Sequence, residues 1–212
     1  VKLTHFGHAC LLVEIDGTRI LVDPGSFSSG FETLTGLDAV LVTHQHADHL
    51  DPEVVPALVE ANPGLLLACD PQTAEQQGGS WRALHVGESL QVGAVNVDVQ
   101  GGDHAVIHPA FPGVDNVALL FGTDSAPGQL LHPGDSFHVP GSPVEVLALP
   151  TAAPWMKLSE GVDYLQAVAP RVAVPIHQAV TTIASMHYDA FRGLAPEGTT
   201  VTVLEPGVAT EV

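Results

Sequence analysis

The sequence predicts an α+β fold in which two sheets pack face to face, with helices outside and functional loops along one edge. Three observations carry that prediction. The chain has two stretches dense in strand-length apolar runs, each followed by helical sequence. Its 212 residues are 45% hydrophobic, enough for a sizeable core. No composition shift or low-complexity tract marks a boundary, so residues 1–212 read as one domain.

The elements follow in order. Val1-Lys2-Leu3-Thr4-His5 opens in strand-like sequence. Leu11–Ile15 and Thr18–Val22 flank Asp16-Gly17, a pair that tolerates positive φ and signals a tight hairpin. Asp23-Pro24-Gly25 stops the second strand, and a Ser/Gly/Phe loop runs to about Gly36. Ala39-Val40-Leu41-Val42 reads as a buried strand. Pro52–Ala61 is a predicted helix, with Asp51 as N-cap and Pro52 at the first helical position. Pro56 is expected to bend it and Asn62-Pro63-Gly64 to end it; Leu65–Ala68 returns to the sheet. Further strands are predicted at Ser89–Val92, Ala94–Gln100, Asn116–Phe121 and Gln129–Leu131. A helix capped by Ser159 carries Val162, Leu165, Val168 and Ala169 on one stripe. Val172–Ile176 is a strand, about Thr182 to Leu194 a last helix, and Thr200–Leu204 closes the sheet.

Composition narrows the function. Six basic against 24 acidic residues give a net charge of −18. The cations Lys2, Arg19, Arg82, Lys157, Arg171 and Arg192 are scattered singly, so no nucleic-acid groove can be built from them. No run reaches the 18 or so apolar residues of a membrane span. Cys10 and Cys69 lack metal-site spacing and are too few for a disulfide framework. With no leader-like start, they point to a cytoplasmic protein. The expected partner is a small-molecule substrate, with neither nucleic acid nor membrane; a homo-oligomer stays open.

The chemistry concentrates at Thr43-His44-Gln45-His46-Ala47-Asp48-His49, where the chain leaves a predicted strand. Imidazole nitrogen and carboxylate oxygen suit zinc, or manganese or iron with more carboxylate. His44 and His46 can converge on one ion, while Asp48 and His49 turn away and can serve a second. Other strand ends offer His104 after Gly101-Gly102-Asp103, Asp135 in His132-Pro133-Gly134-Asp135, and His177 after Val174-Pro175-Ile176. The two glycines are expected to permit a sharp turn before His104. Each of these three alone is weak, and a lone His after a strand is more often a satisfied structural residue; their order along the chain lifts them.

That order resembles the metallo-β-lactamase fold superfamily of metallohydrolases, whose His-x-His-x-Asp-His signature matches His44 to His49. Thr4-His5-Phe6-Gly7-His8-Ala9-Cys10 and Leu21-Val22-Asp23-Pro24-Gly25 resemble its ascorbate-6-phosphate lactonase-like branch of zinc-dependent hydrolases. The resemblance spans Thr4 to about His177 and implies a four-layer αββα sandwich. It implies two divalent ions, zinc or else manganese. His44, His46 and His104 would hold the first; Asp48, His49 and His177 the second; Asp135 would bridge them. Asp23 resembles the carboxylate that orients a ligand imidazole, and the Gly7-His8 turn of this branch lies near the metal edge.

Two such ions lower the pKa of a bridging water, and the hydroxide would attack a carbonyl carbon or phosphorus. Asp48 and Asp135 would be the catalytic carboxylates. The expected activity is hydrolysis of an ester, lactone or related bond in a small molecule. The alternatives are a phosphodiesterase or nuclease of the same superfamily, or a non-hydrolytic metal-binding protein. The first would need a basic groove, and a diiron oxygen-reducing relative normally carries a flavin domain. Lys157 is the only cation on a loop between expected ligands, Asp135 and His177. It either grips an anionic substrate group or balances Glu160 at the surface. Phe27 with Phe31, and Trp155 with Met156, form two apolar walls or simply pack.

Overall fold

The structure is a computed structural model describing residues 1–212. One seven-stranded sheet runs β1 (Lys2–His5), β2 (Leu11–Ile15), β3 (Thr18–Val22), β4 (Ala39–Val42), β5 (Leu66–Cys69) and β6 (Arg82–Ala83), with β14 (Thr210–Glu211) outside β1. Its neighbours from β14 to β3 pair antiparallel and those from β3 to β6 parallel. The helices α1 (Val55–Ala61) and α2 (Pro71–Gln77) lie in the parallel crossovers. The second sheet repeats the plan. An antiparallel meander of β7 (Ser89–Val92), β8 (Val95–Asp103), β9 (Asp115–Thr123) and β10 (Ala126–His132) leads into parallel β11 (Val146–Pro150), β12 (Val172–Ile176) and β13 (Thr200–Val201). Here α3 (Leu158–Val168) and α4 (Ala184–Leu194) make the crossovers.

Successive strand residues point to opposite faces, and that alternation builds the layers. Leu11, Val13, Ile20 and Val22 share a 26-residue buried cluster with Val97, Val99, Leu119 and Phe121 of the other sheet. Their neighbours Leu12, Leu21, Val40 and Val42 pack instead with Val55 and Leu58 of α1. On the outer face of the second sheet, Leu147 and Leu149 meet Val162 and Leu165 of α3 and Phe191 of α4. Helix, sheet, sheet, helix is the four-layer αββα sandwich. The central strands are apolar at nearly every position because both their faces are covered. No helix is long and apolar enough to cross a membrane.

Element boundaries differ from the sequence reading for local reasons. Asp51 Oδ1 accepts the Glu53 and Val54 N–H groups, yet the helix proper starts at Val55. Pro56 therefore lies in the first turn, where its missing N–H costs nothing and no bend is needed. The N-cap of α3 is Lys157, not Ser159: Glu160 reaches back to accept the Lys157 N–H at 2.7 Å. Ala169 leaves the stripe, ending the helix with φ +47°. Gly101 and Gly102 do not turn the chain; β8 continues through them, paired with Val117 and Asn116. Helix α2 lies outside the predicted elements although its signals were present, Asp70 accepting the Thr73 N–H and Pro71 opening the helix. The last strand is only Thr200–Val201, and β14 is an unforeseen edge.

Candidate metal centre

Strands β3, β4, β8, β10 and β12 all deliver a polar residue shortly after their last residue, and these meet along one edge of the sandwich. Backbone bonds tie the edge together. Val117 N–H donates to Thr43 O at 3.0 Å, linking the two sheets, and Ala105 N–H donates to Asp135 O at 2.8 Å. His177 N–H donates to His8 O at 2.8 Å. His8 and His177 adopt φ of +47° and +60°, a left-handed conformation that disfavours side chains with a Cβ and persists only when the surroundings hold it.

Two groups of side chains converge there. His44, His46, His104 and Asp135 each offer one ligand atom, and those atoms lie within 4.8 Å of one another. His8, Asp48, His49 and His177 do the same. Asp135 stands at the seam. Its Oδ2 is 3.2 Å from His104 Nε2, while its Oδ1 is 3.1 Å from both His49 Nε2 and His177 Nε2.

The far nitrogens of these rings are held in place. His104 Nδ1–H donates to Ala105 O at 2.6 Å and His177 Nδ1–H to Ala152 O at 2.7 Å. His49 Nδ1–H donates to Asp23 Oδ2 at 2.7 Å. Asp23 is fully buried and also accepts the Thr43 N–H and hydroxyl, at 2.7 and 2.8 Å. With its proton on Asp23, the Thr43 oxygen accepts His44 Nδ1–H at 3.1 Å. Each bond turns an Nε2 lone pair inward.

Those inward atoms lack partners of their own. His49 Nε2, His104 Nε2, His177 Nε2 and Asp135 Oδ1 are buried without an aligned hydrogen bond, although they approach within 3.1–3.2 Å. His44 Nε2 lies 3.0 Å from His46 Nδ1, a separation at which two lone pairs repel unless a proton or cation lies between them. Such crowding of unsatisfied buried acceptors is costly on its own. It fits a set of nitrogen and oxygen donors arranged for divalent cations.

Electrostatics agree. Burial drives the His44 imidazole well below its ordinary range and the His8 imidazole down to about 4, despite Asp48 Oδ2 lying 3.0 Å from His8 Nε2. Burial also opposes ionisation of Asp135, but His49, with His104 and His177, outweighs it and holds the carboxyl well below the usual carboxylate range. For His49 burial is likewise outweighed, here by Asp135 and Asp23, and its pKa stands well above 6.5. Carboxylates on both sides of His49 thus make the seam electrostatically favourable for positive charge.

A family model described as Beta-lactamase superfamily domain matches residues 2–177. The chain belongs to that superfamily. It is 57% identical over 180 residues to protein Rv0786c of Mycobacterium tuberculosis, covering 85% of each chain. It is 26% identical over 227 residues to a UPF0173 metal-dependent hydrolase of Carboxydothermus hydrogenoformans, covering 98% of each. Among solved structures, Igni18, a metallo hydrolase from Ignicoccus hospitalis, superposes with a TM-score of 0.76 at 20% identity, covering 99% of this chain and 97% of that one. The fold is the metallo-β-lactamase fold.

On this superfamily scaffold, the seven residues singled out as metal ligands lie within the two convergent groups. His8 joins them directly, its ring centroid 3.9 Å from that of His177, and Asp23 lies behind His49. Lys157 does not join them: its side chain is 80% exposed and pairs with Glu160 at 3.6 Å. Phe31 is buried against Phe6, whereas Phe27 is exposed with its ring 5.3 Å from His8. Two contributions escape the sequence reading, which has Trp155 only as an apolar wall or packing and does not single out Asn116 as a site residue. Trp155 Nε1–H donates to Asp135 Oδ2 at 2.7 Å. Asn116 accepts the Asp135 N–H and donates to Pro133 O, both at 3.0 Å. The signal for Asn116 was a lone amide opening an otherwise apolar strand.

Proposed function

We propose that the chain is a metal-dependent hydrolase that holds two divalent ions and cleaves an ester, lactone or related bond in a small molecule. The carrying observation is the convergence of unpartnered buried His49 Nε2, His104 Nε2, His177 Nε2 and Asp135 Oδ1 at the seam of two four-residue groups. Relatives described as a metal-dependent hydrolase and a metallo hydrolase support the same reading. His44, His46 and His104 would hold one ion, Asp48, His49 and His177 the other, with Asp135 shared. Bound there, zinc or manganese supplies Lewis acidity and an acidified water.

The protein's part is positioning. Asp23 and the Ala105 and Ala152 carbonyls fix three ring tautomers. Trp155 holds one oxygen of Asp135 and leaves the other facing His49 and His177. His8 Nε2 lies 3.0 Å from Asp48 Oδ2 and holds that carboxylate in the second group. With Lys157 at the surface, nothing cationic is offered to a phosphate, which favours carboxylic esters and lactones over phosphoesters.

The test is metal analysis of zinc- and manganese-reconstituted protein, followed by a screen of lactones, thioesters, aryl esters and phosphodiesters. Two ions per chain and turnover of carbonyl substrates are expected. Asp135→Ala should lose both, because that carboxylate faces both groups. One ion or none, or turnover confined to phosphodiesters, would sink the reading.

A further inference from the structure

The β8–β9 connection, residues 104–114, leaves the sheet at His104 and is closed by His104 N–H donating to Val114 O at 3.1 Å. Ala105 N–H, bonded to Asp135 O, anchors it to the centre. Beneath it lies a cavity of about 570 Å³, within the roughly 300–1,000 Å³ of small-molecule sites. His46 and His104 form its inner wall, so the cavity opens directly onto the first metal group.

Apart from His108, the rest of the lining is apolar. Val106, Ile107 and Phe111 contribute the largest side chains, and no Lys, Arg, Asp, Glu, Ser or Thr takes part. His108 is the one other polar side chain, and its Nδ1 already accepts the Ala110 N–H at 3.1 Å. Val106 is 70% exposed, Ile107 39% and Phe111 63%. Three large apolar groups left in water beside a buried polar centre mark a binding surface rather than a core. Pro109 and Pro112 fix φ at two positions of the loop, which lowers the cost of ordering it around a ligand.

We propose that this cavity takes an uncharged apolar portion of the substrate, a medium-length acyl or aryl group, and so presents the scissile bond beside His46 and His104. The inference rests on the hydrolase reading for its chemistry and adds the substrate class. An anionic ligand is disfavoured twice, by a lining without a cation and by the chain's net charge of −18.

The experiment has a binding arm and a turnover arm, both on metal-loaded protein. Nile red, neutral and apolar, is bound and then displaced by straight-chain primary alcohols of increasing length. Affinity should rise about fourfold per methylene until the cavity is filled. Ile107→Asp and Phe111→Ala should weaken displacement by about tenfold or more, while Val208→Asp, equally apolar and exposed but outside the cavity, should not. For p-nitrophenyl esters, kcat/KM should climb with acyl length and lose that dependence in Ile107→Asp. Turnover indifferent to acyl length, with Nile red binding untouched by the loop variants or weakened equally by Val208→Asp, overturns the pocket and leaves the hydrolase reading standing. No ester turnover at full metal loading, with length-dependent displacement intact, overturns the hydrolase reading and keeps the cavity as an apolar-ligand site.

Discussion

Trp155 illustrates how a residue with an apolar body acts through its polar tip. Its ring packs 5.0 Å from Phe137, centroid to centroid, and its one donor is spent on Asp135. Trp155→Phe keeps the packing and removes the donor. Zinc affinity should fall about tenfold to a hundredfold, as for other groups that orient a ligand. Competition against a chelating dye would measure it, and unchanged affinity would reduce the indole to a packing role. Asp23→Asn should act first on the second group, which Asp23 touches directly through His49, and less on the first, which it reaches only through Thr43. It weakens the acceptor for His49 Nδ1–H, so on the proposed two-ion reading the ion of the Asp48 group should be lost first and metal content should fall towards one per chain. Equal loss of both ions would contradict the division into two groups.

At the scale of elements, the site depends on a turn lying under a loop. Gly25, in the Asp23-Pro24-Gly25 turn, passes so close to the His44–His49 loop that a Cβ would stand 1.8 Å from Asp48 O and 2.4 Å from His49 N. Ser26 N–H donates to Ala47 O at 2.8 Å and Asp51 N–H to Pro24 O at 3.0 Å, sealing the two segments together. Gly25→Ala must push backbone against backbone. Overpacking of this kind costs about 1–3 kcal/mol, and here the displaced backbone carries two of the proposed ligands. Thermal unfolding and metal content should both fall. Retention of full metal content would show that the turn yields instead of the loop. The turn and the loop were each legible in the sequence, as a Pro-Gly stop and a His-rich strand exit. Their contact was not, because nothing local links residue 25 to residue 48.

For the molecule as a whole, buried imidazoles set the response to acid. His5, His8, His44 and His132 have lowered pKa values, chiefly from burial, as have the half-buried His46 and His138. The unfolded chain accepts protons at these positions that the native state refuses, so stability falls as pH falls from about 6.5, and for His8 down to about 4. His49 opposes this, since its raised pKa contributes stability below 6.5 that is lost at higher pH. Asp48, held at about 2, adds stability above 3.8 that is lost only in stronger acid. Metal-stripped protein should therefore show an unfolding midpoint that drops between about pH 7 and pH 5. A midpoint that rises over that interval would mean that His49 governs the balance.

The sequence by itself determined what short range can encode. Continuous apolar runs specified strands covered on both faces, and the spacing of His44, His46, Asp48 and His49 specified a candidate ligand loop at a strand exit. His104, Asp135 and His177 were visible only as strand-end residues, each with a plain structural reading beside it. Tertiary structure decided the rest, because convergence depends on how two sheets stack and not on distance along the chain. It brought His8 against Asp48 and His177, directed the Trp155 indole to Asp135 and turned Lys157 out to Glu160. It also folded residues 104–114 over His46 and His104, where an unremarkable loop sequence became the wall of a cavity.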